Sequence, residues 1–292
     1  MAYTFNEAHA RQFADSVILR AQQMGSRLRV TAGQTKNGVR GERTEFLPLA
    51  KSPAIKRTTS VAPTPAINLQ WGARWAVKGI YDWATQIDRQ SDVLAMLTDP
   101  ESPAVQTASN ALGRAIDDEI IAALHGTAVT GVDGSGSQAL PATQKVAHGG
   151  VALTYGKLLE ALQKLNAAEA GDERFVLYGA VQQSDILALN ELIDMDYRSS
   201  AAVTTAVETG RPANLLGMTW IRSERLGEIA ADTGRVLVYA AQGLGFGMWE
   251  DISVEVEKRA DLNNAIQPMG TVSMGAVRIE DECVVEVACK EA

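Results

Sequence analysis

Residues 67–78 have the sequence INLQWGARWAVK, in which apolar and polar residues alternate. The apolar side of this alternation is formed by Ile67, Leu69, Trp71, Trp75 and Val77. A period of two residues is typical of a β-strand that has one face covered and one face in water. The pattern therefore predicts a half-buried strand over 67–78, with two tryptophans on its apolar face.

The segment before this strand differs in composition from the rest of the chain. Residues 26–66 contain seven Gly and Pro residues, many Ser and Thr, and eight Lys and Arg. Such a stretch cannot build a core of its own. Phe46, Leu47 and Leu49 indicate a weaker partner strand within residues 40–50. Together the two strands predict a long hairpin whose tip is rich in Pro and Thr.

The predicted hairpin is too long for one compact body. A compact chain of 292 residues has a radius of gyration of about 19 Å. Residues 31–78, folded once, give limbs of about 65 Å. A lone two-stranded hairpin is marginally stable in water, so its apolar face needs another surface. We expect that surface to be a neighbouring copy of the chain. The alternative is that the hairpin packs back on its own domain.

Charge is divided unevenly along the chain, whose net charge is −8. Residues 1–60 contain ten Lys and Arg and four Asp and Glu, whereas the remainder contains 17 and 31. A basic projection on an acidic body favours a head-to-tail contact between copies, which closes into rings. The acidic balance argues against a dedicated nucleic-acid-binding protein. The residues expected at the contact between subunits are Arg40, Arg43, Lys51, Lys56, Arg57, Trp71 and Trp75.

Helical periodicity is strongest over residues 102–125. Ser102 fits an N-cap, Pro103 fits the first helical position, and Gly126 ends the run. Val105, Leu112, Ile116, Ile120 and Leu124 form its apolar stripe. Weaker patterns predict helices over 4–25, 85–97, 154–170 and about 182–192.

Strand patterns dominate the second half of the chain, so the fold class is α+β. The predicted strands cover 174–178, 215–221, 236–240, 246–249, 252–257, 271–279 and 283–288. Cys283 and Cys289 lie in the last run, about 20 Å apart if extended, which is too far for a disulfide. We expect both to be buried thiols in a protein made in a reducing compartment.

Residue types that carry chemistry do not form a recognisable set. The three histidines, His9, His125 and His148, have no ligand spacing with one another or with Cys or carboxylates. His9 is expected to be a packed or interface histidine. His125 ends a helix, where a partial positive charge is favourable. The sequence predicts no cofactor, no metal and no enzymatic activity.

Three short motifs also favour structural interpretations. Gly150 to Lys157 departs from a phosphate-binding loop, because five residues separate its glycines and Leu158 stands where Ser or Thr should follow the lysine. Residues 134–137 are expected to form a flexible loop. The carboxylates at 117–119 are expected on a solvated helix face, and the glycines at 243, 245 and 247 are expected to permit close strand packing.

Several stretches, taken in order, carry a resemblance to a known family. They are residues 13–15 (FAD) leading to 25–29 (GSRLR), 108–121 with 113–117 (GRAID), 214–220 (NLLGMTW), and 275–279 (GAVRI) leading to 285–289 (VEVAC). This set resembles the major capsid proteins of tailed bacteriophages, which have the Hong Kong 97-type fold. The resemblance covers almost the whole chain, although no single motif is diagnostic.

The resemblance implies a division of the chain into parts. Residues 1–30 would be an N-terminal arm, 31–78 an extended β-hairpin loop, and 102–125 a long spine helix. A peripheral domain would comprise 79–149 and 250–280, and an axial domain 150–249 and 281–292.

The resemblance also implies partners and a location. The chain would assemble with itself as hexamers and pentamers into an icosahedral head, in the virion. It would be made in the host bacterial cytoplasm, with no membrane association. Expected partners are a scaffolding protein, a portal, a decoration protein and packaged double-stranded DNA by non-specific proximity. Because the chain starts at the arm helix, the scaffold is expected to be a separate protein.

Two other functions remain open from the sequence. A cellular nanocompartment shell of the same fold would need a cargo-docking site, and a neighbouring enzyme gene would favour it. A small α/β enzyme would need an active site, and a ligand-dependent shift in melting temperature would favour it.

Overall fold

The longest helix has the bounds that its sequence signals predict. In the computed structural model, which describes residues 22–59, 66–86, 103–189, 215–262 and 265–291, helix α1 spans Pro103–His125. Its stripe is buried, since Leu112, Ile116, Ile120 and Leu124 are at most 2% exposed. The predicted cap Ser102 lies outside the described residues, as do the predicted helix over 4–25, except its last few residues, and most of the one over 85–97.

A six-stranded sheet separates two apolar cores. Its strands are β7 (Lys145–Val146), β8 (Arg174–Tyr178), β9 (Thr219–Arg222), β10 (Glu228–Ala230), β11 (Thr233–Ala240) and β14 (Val284–Lys290). The strand order is β7-β14-β11-β8-β9, and β10 also pairs with β11. Alternate residues of β11 enter opposite cores: Val236 and Val238 face one core, and Leu237 and Tyr239 face the other.

Helices cover this sheet on the side of Val236 and Val238. Helix α2 (Tyr155–Ala167) begins at Thr154, whose hydroxyl accepts from the Lys157 amide at 3.4 Å. Helix α3 spans Ala180–Leu187, somewhat earlier than predicted. Leu158 and Leu165 of α2 are fully buried in the core beneath it.

A four-stranded sheet packs against α1. Its strands are β1 (Gln34–Asn37), β4 (Gly79–Ala84), β12 (Leu244–Arg259) and β13 (Ala265–Arg278), in the order β1-β12-β13-β4. Val272 and Met274 of β13 enter the same core as the α1 stripe. The two strands predicted over 246–249 and 252–257 are one strand, because β-bulges between Met248 and Ser253 interrupt the alternation without ending the ladder.

A third, small sheet joins the hairpin to the body. Its strands are β2 (Arg43–Phe46), β3 (Arg74–Val77), β5 (Ala128–Thr130) and β6 (Gly136–Gln138), in the order β2-β3-β5-β6. The prediction of a flexible loop over 134–137 is therefore wrong for residues 136–137, which belong to β6. Gly131 and Gly134 have positive φ values of 91° and 64°, which close a tight turn between β5 and β6.

Three further elements differ from the predictions. The strand predicted over 215–221 begins only at Thr219, because Leu216 and Gly217 have left-handed φ values of 58° and 70°. β4 (Gly79–Ala84) is a strand that the sequence did not predict, and Thr85, where the next helix is predicted to begin, is not helical. β1 lies in the predicted extended loop but pairs in parallel with β12, so the projecting hairpin begins after it.

Candidate assembly interface

The base of the hairpin is an antiparallel ladder between β2 and β3. One further step continues it, where the Ala50 amide donates to the Gln70 carbonyl at 3.0 Å. Residues 51–59 and 66–69 beyond that step are exposed and contain no helix or strand. The strand predicted over 67–78 is thus shorter than expected. Pro48 in the opposite limb has no amide to donate and interrupts the ladder.

Apolar side chains of the outer hairpin are exposed in the single chain. We call Leu47, Leu49, Ile67, Leu69 and Trp71 the hairpin patch; their exposed fractions run from 41% to 65%, the largest being that of Trp71. The prediction that this face is half-buried is wrong for one chain alone. Large apolar side chains exposed close together in the sequence make this segment a candidate for an interaction site.

The other predicted contact tryptophan, Trp75, packs at the base of the hairpin. The Trp75 indole donates to the Gly131 carbonyl at 2.7 Å, and its ring lies against the turn at Gly134. Trp75 therefore already has a partner in its own subunit, whereas Trp71 is 65% exposed.

A small core holds the base rigidly. Phe46 and Ala76 are buried together with Ala128, Val277 and Ile279. The Phe46 ring lies against Gly245, where a Cβ atom would be 3.1 Å from the ring. Glycine at 245 thus permits the close packing that the sequence predicted. The base belongs to the folded body, whereas residues 51–59 and 66–69 contribute to none of its apolar cores.

A buried arginine ties this base to the end of α1. Arg278 is fully buried, and its guanidinium donates to the carbonyls of Leu124 (3.0 Å), Gly126 (2.8 Å) and Gln138 (3.0 Å). It also donates to the Asp281 carboxylate at 2.6 Å. The carbonyls at the C-terminal end of a helix carry partial negative charge, so a cation is stabilised there.

Asp281 extends the network into the hairpin. Arg74, the first residue of β3, donates to Asp281 at 2.8 Å and to the Ile279 carbonyl at 3.1 Å. The Arg74 and Asp281 side chains are only 14% and 15% exposed. Sequence reasoning missed this network; its one signal was a charged residue, Arg278, inside an apolar strand.

The predicted basic contact residues are all exposed, but they are not equivalent. Arg43 lies 3.4 Å from the Gly134 carbonyl. Lys51 forms an ion pair with Glu169 at 3.1 Å, so one expected contact to a neighbour is made within the chain. Arg40, Lys56 and Arg57 lie at the surface of the loop. Their contacts with other copies stay a prediction.

A buried carboxylate anchors the segment that leads to the hairpin. Asp117 is fully buried and accepts from the Ser26 hydroxyl (2.6 Å), the Arg27 amide (3.1 Å), the Leu28 amide (3.0 Å) and the Gln23 side chain. The predicted solvated helix face is therefore wrong at this residue. Four donors replace the water that the carboxylate loses on burial.

The neighbours of Asp117 also have partners within the chain. Asp118 pairs with Arg225, and Glu119 accepts from the Tyr81 hydroxyl at 2.8 Å. Burial and this hydrogen bond raise the pKa of Tyr81 to about 12. A spacing signal for Asp117 was present, because it lies four residues before the buried Ile121.

The two cysteines and His125 are in surroundings that make them weakly reactive or favour the uncharged form. Burial raises the pKa of Cys283 to about 11 and that of Cys289 to about 12, so both thiols stay protonated and weakly reactive, as expected of buried cysteines. Burial lowers the pKa of His125, which favours the neutral imidazole. The positive charge expected at this helix end comes from Arg278 instead.

The lysine of the phosphate-loop-like segment is used within the fold. The Lys157 ammonium donates to the carbonyls of His148 (2.9 Å), Val151 (2.8 Å) and Ala288 (2.8 Å). Among the described residues there is no cluster of His, Cys, Asp and Glu suited to a metal. No helix in the described ranges is long and apolar enough to cross a membrane.

Comparisons with known proteins place these features in a family. Residues 5–291 match the model of a family described as phage capsid protein. No curated protein sequence matches the chain significantly. Similar solved structures include Mycobacterium phage Che8 (13% identity, 92% of this chain and 93% of that one, TM-score 0.67) and the head of Helicobacter pylori bacteriophage KHP40 (9%, 93% and 94%, 0.68).

A third is the capsid asymmetric unit of cyanophage Pam1, with 12% identity over 95% of both chains and a TM-score of 0.66. At such low identity these likenesses establish the fold, which is the α+β fold of Hong Kong 97 type. The family match spans nearly every residue. The chain belongs to the phage capsid protein family, as a major capsid protein of the tailed-phage type.

Proposed function

We propose that the hairpin patch is the surface through which neighbouring subunits join in the capsid shell. Members of this family are structural proteins that self-associate into the shell of the phage head, and their place is the virion. The single observation that carries the proposal is the exposure of Trp71 at 65%, together with four other exposed apolar side chains of the described hairpin residues.

The geometry of the base supports this role. Phe46, Arg74 and Trp75 fix the hairpin root to the body, and the described residues beyond Ala50 are exposed. A fixed root restricts the orientations of the exposed limb, which lowers the entropy that is lost on binding. The basic residues Arg40, Lys56 and Arg57 would meet acidic surface of the next copy, where such pairs chiefly guide encounter and register.

Finer features of the assembly are part of the proposal. The core beneath α2 draws almost all its residues from 150–249 and 281–292, which supports the axial domain expected there. The α1 helix and the four-stranded sheet would form the peripheral domain. We propose hexamers and pentamers as building units, with scaffolding, portal and decoration proteins and packaged DNA as partners, and synthesis in the host cytoplasm. The family match favours a phage head over a cellular nanocompartment.

Trp71→Ser tests the hairpin patch directly. The subunit should keep its stability to within about 0.5 kcal/mol, because the side chain is largely in water in the single chain. A central aromatic anchor typically contributes about 2 kcal/mol to an interface, so subunit association should weaken roughly 30-fold. Light scattering of assembling subunits measures this. Val132→Ser is the matched control, since Val132 is 84% exposed but outside the patch. Equal assembly of both variants would refute the proposed contact.

Charge reversal tests the basic residues. Arg40→Glu with Arg43→Glu should lower the yield of empty shells while the subunit still folds, since both residues are exposed. Wild-type assembly should slow as added salt shortens the Debye length to about 8 Å. Particle counts by electron microscopy give the yield. If these arginines face packaged DNA instead, empty shells form normally and only filled heads fail.

A further inference from the structure

A lysine in the outer limb of the hairpin contacts its own subunit. The Lys51 ammonium donates to the Ala168 carbonyl at 2.6 Å and pairs with Glu169 at 3.1 Å. Ala168 ends α2, and Glu169 follows it with a left-handed φ of 57°. The chain turn at Glu169 thus exposes the negative end of a helix, which favours a cation. Nearby carboxylates of Glu169, Glu280 and Glu282 raise the pKa of Lys51.

Two charged contacts of the described part of the hairpin lie at the same corner of its subunit. The inner one, Arg74 with Asp281, has side chains that are 14% and 15% exposed. The outer one, Lys51 with Glu169, has side chains that are 66% and 79% exposed. Exposed ion pairs are weak and are screened by salt, whereas buried ones resist separation once formed. The outer attachment can open while the inner one holds.

We propose that Lys51 is a releasable latch, which holds the outer hairpin against its own α2 until a neighbouring copy replaces that contact. The proposal rests on the proposed function of the hairpin patch in joining subunits. With the latch closed, the limb is held at Lys51 beside the C-terminal end of its own α2. When it opens, the limb beyond Lys51 is released, while the Arg74–Asp281 pair and the pairing of Ala50 with Gln70 keep the root in place.

The latch can be measured in the unassembled subunit, without shell formation. Spin labels at Thr59→Cys and Gln163→Cys report the distance between the outer limb and α2, since the native cysteines are buried. Lys51→Met and Glu169→Gln should each broaden the distance distribution toward longer values. Lys56→Met, a matched change farther along the limb, should leave it as in the wild type. An unchanged distribution in both latch variants would overturn the proposal.

Assembly kinetics supply the second readout. Glu169→Gln should shorten the lag before shells appear by about two- to fivefold, the range expected for one exposed pair. A longer lag would show that Glu169 serves a neighbouring copy, which also overturns the latch. The two proposals fail separately. Normal assembly of Trp71→Ser would refute the hairpin patch as an interface. The distances between the two spin labels in the free subunit would still test the latch.

Discussion

A subunit in which residues 51–69 are replaced by Asn-Gly will fold and will form no shells. The replacement joins Ala50 to Gln70, which are already paired across the hairpin, by a two-residue turn that suits antiparallel strands. The described part of the removed segment is exposed and lies outside every apolar core, so the melting temperature should move by only a few degrees. The hairpin patch loses Ile67 and Leu69, and the limb no longer reaches a neighbour.

Electron microscopy of assembly reactions measures the loss of shells. Thermal unfolding of the subunit measures the change in melting temperature. The control is a wider deletion of residues 42–66, which also removes β2. That deletion takes away Phe46, which is 1% exposed, and loss of a buried phenylalanine costs about 3–5 kcal/mol. It should therefore destabilise the subunit as well. Shells at wild-type yield from the Asn-Gly variant would contradict the role of the outer hairpin.

Arg278→Met is expected to have the largest effect on stability. Removing one member of a buried charged network leaves its partners unpaired, which typically costs about 3–5 kcal/mol. In this variant Arg74 would be the remaining arginine partner of the Asp281 carboxylate. The Arg278 guanidinium would also no longer donate to the carbonyls of Leu124, Gly126 and Gln138. In a chain of this size the melting temperature should fall by roughly 10 °C.

Urea unfolding of the unassembled subunit measures this loss. Arg259→Met is the matched control, because Arg259 also forms a bidentate pair with a nearby aspartate, Asp261, but at the surface. The control should unfold near the wild-type urea concentration. If Arg278→Met and Arg259→Met unfold at the same urea concentration, the buried network adds no more to stability than the surface ion pair does. Because Arg278 also fixes the root of the hairpin, surviving Arg278→Met subunits should assemble with more defects.

Local signals determined much of the fold. The proline at the start of α1 and the glycine after its end set its bounds, and Thr154 fixed the start of α2. The strand over 174–178 appears as predicted. These features depend on backbone chemistry within a few residues, which is fully present in the sequence. The ordered stretches that resemble capsid proteins were enough to indicate the family, because they span nearly the whole chain.

The tertiary structure alone decided which groups the buried polar residues bind. Helical spacing places Asp117 on the buried face of α1, but the donors that make its burial possible come from Ser26, Arg27 and Leu28, about 90 positions away. Arg278 likewise draws its acceptors from Leu124 to Gln138. Neither set of partners has any trace in the local pattern.

The same distinction applies to the hairpin. The sequence of residues 31–78 was enough to predict a hairpin with a paired base, an apolar face and a basic limb. Only the three-dimensional structure showed that Trp75 is used at the base while Trp71 is left in water, and that Lys51 meets Glu169 in its own subunit. Alternation of apolar and polar residues along a strand predicts which side chains share a face. What covers that face depends on long-range packing, which a local period of two residues does not encode.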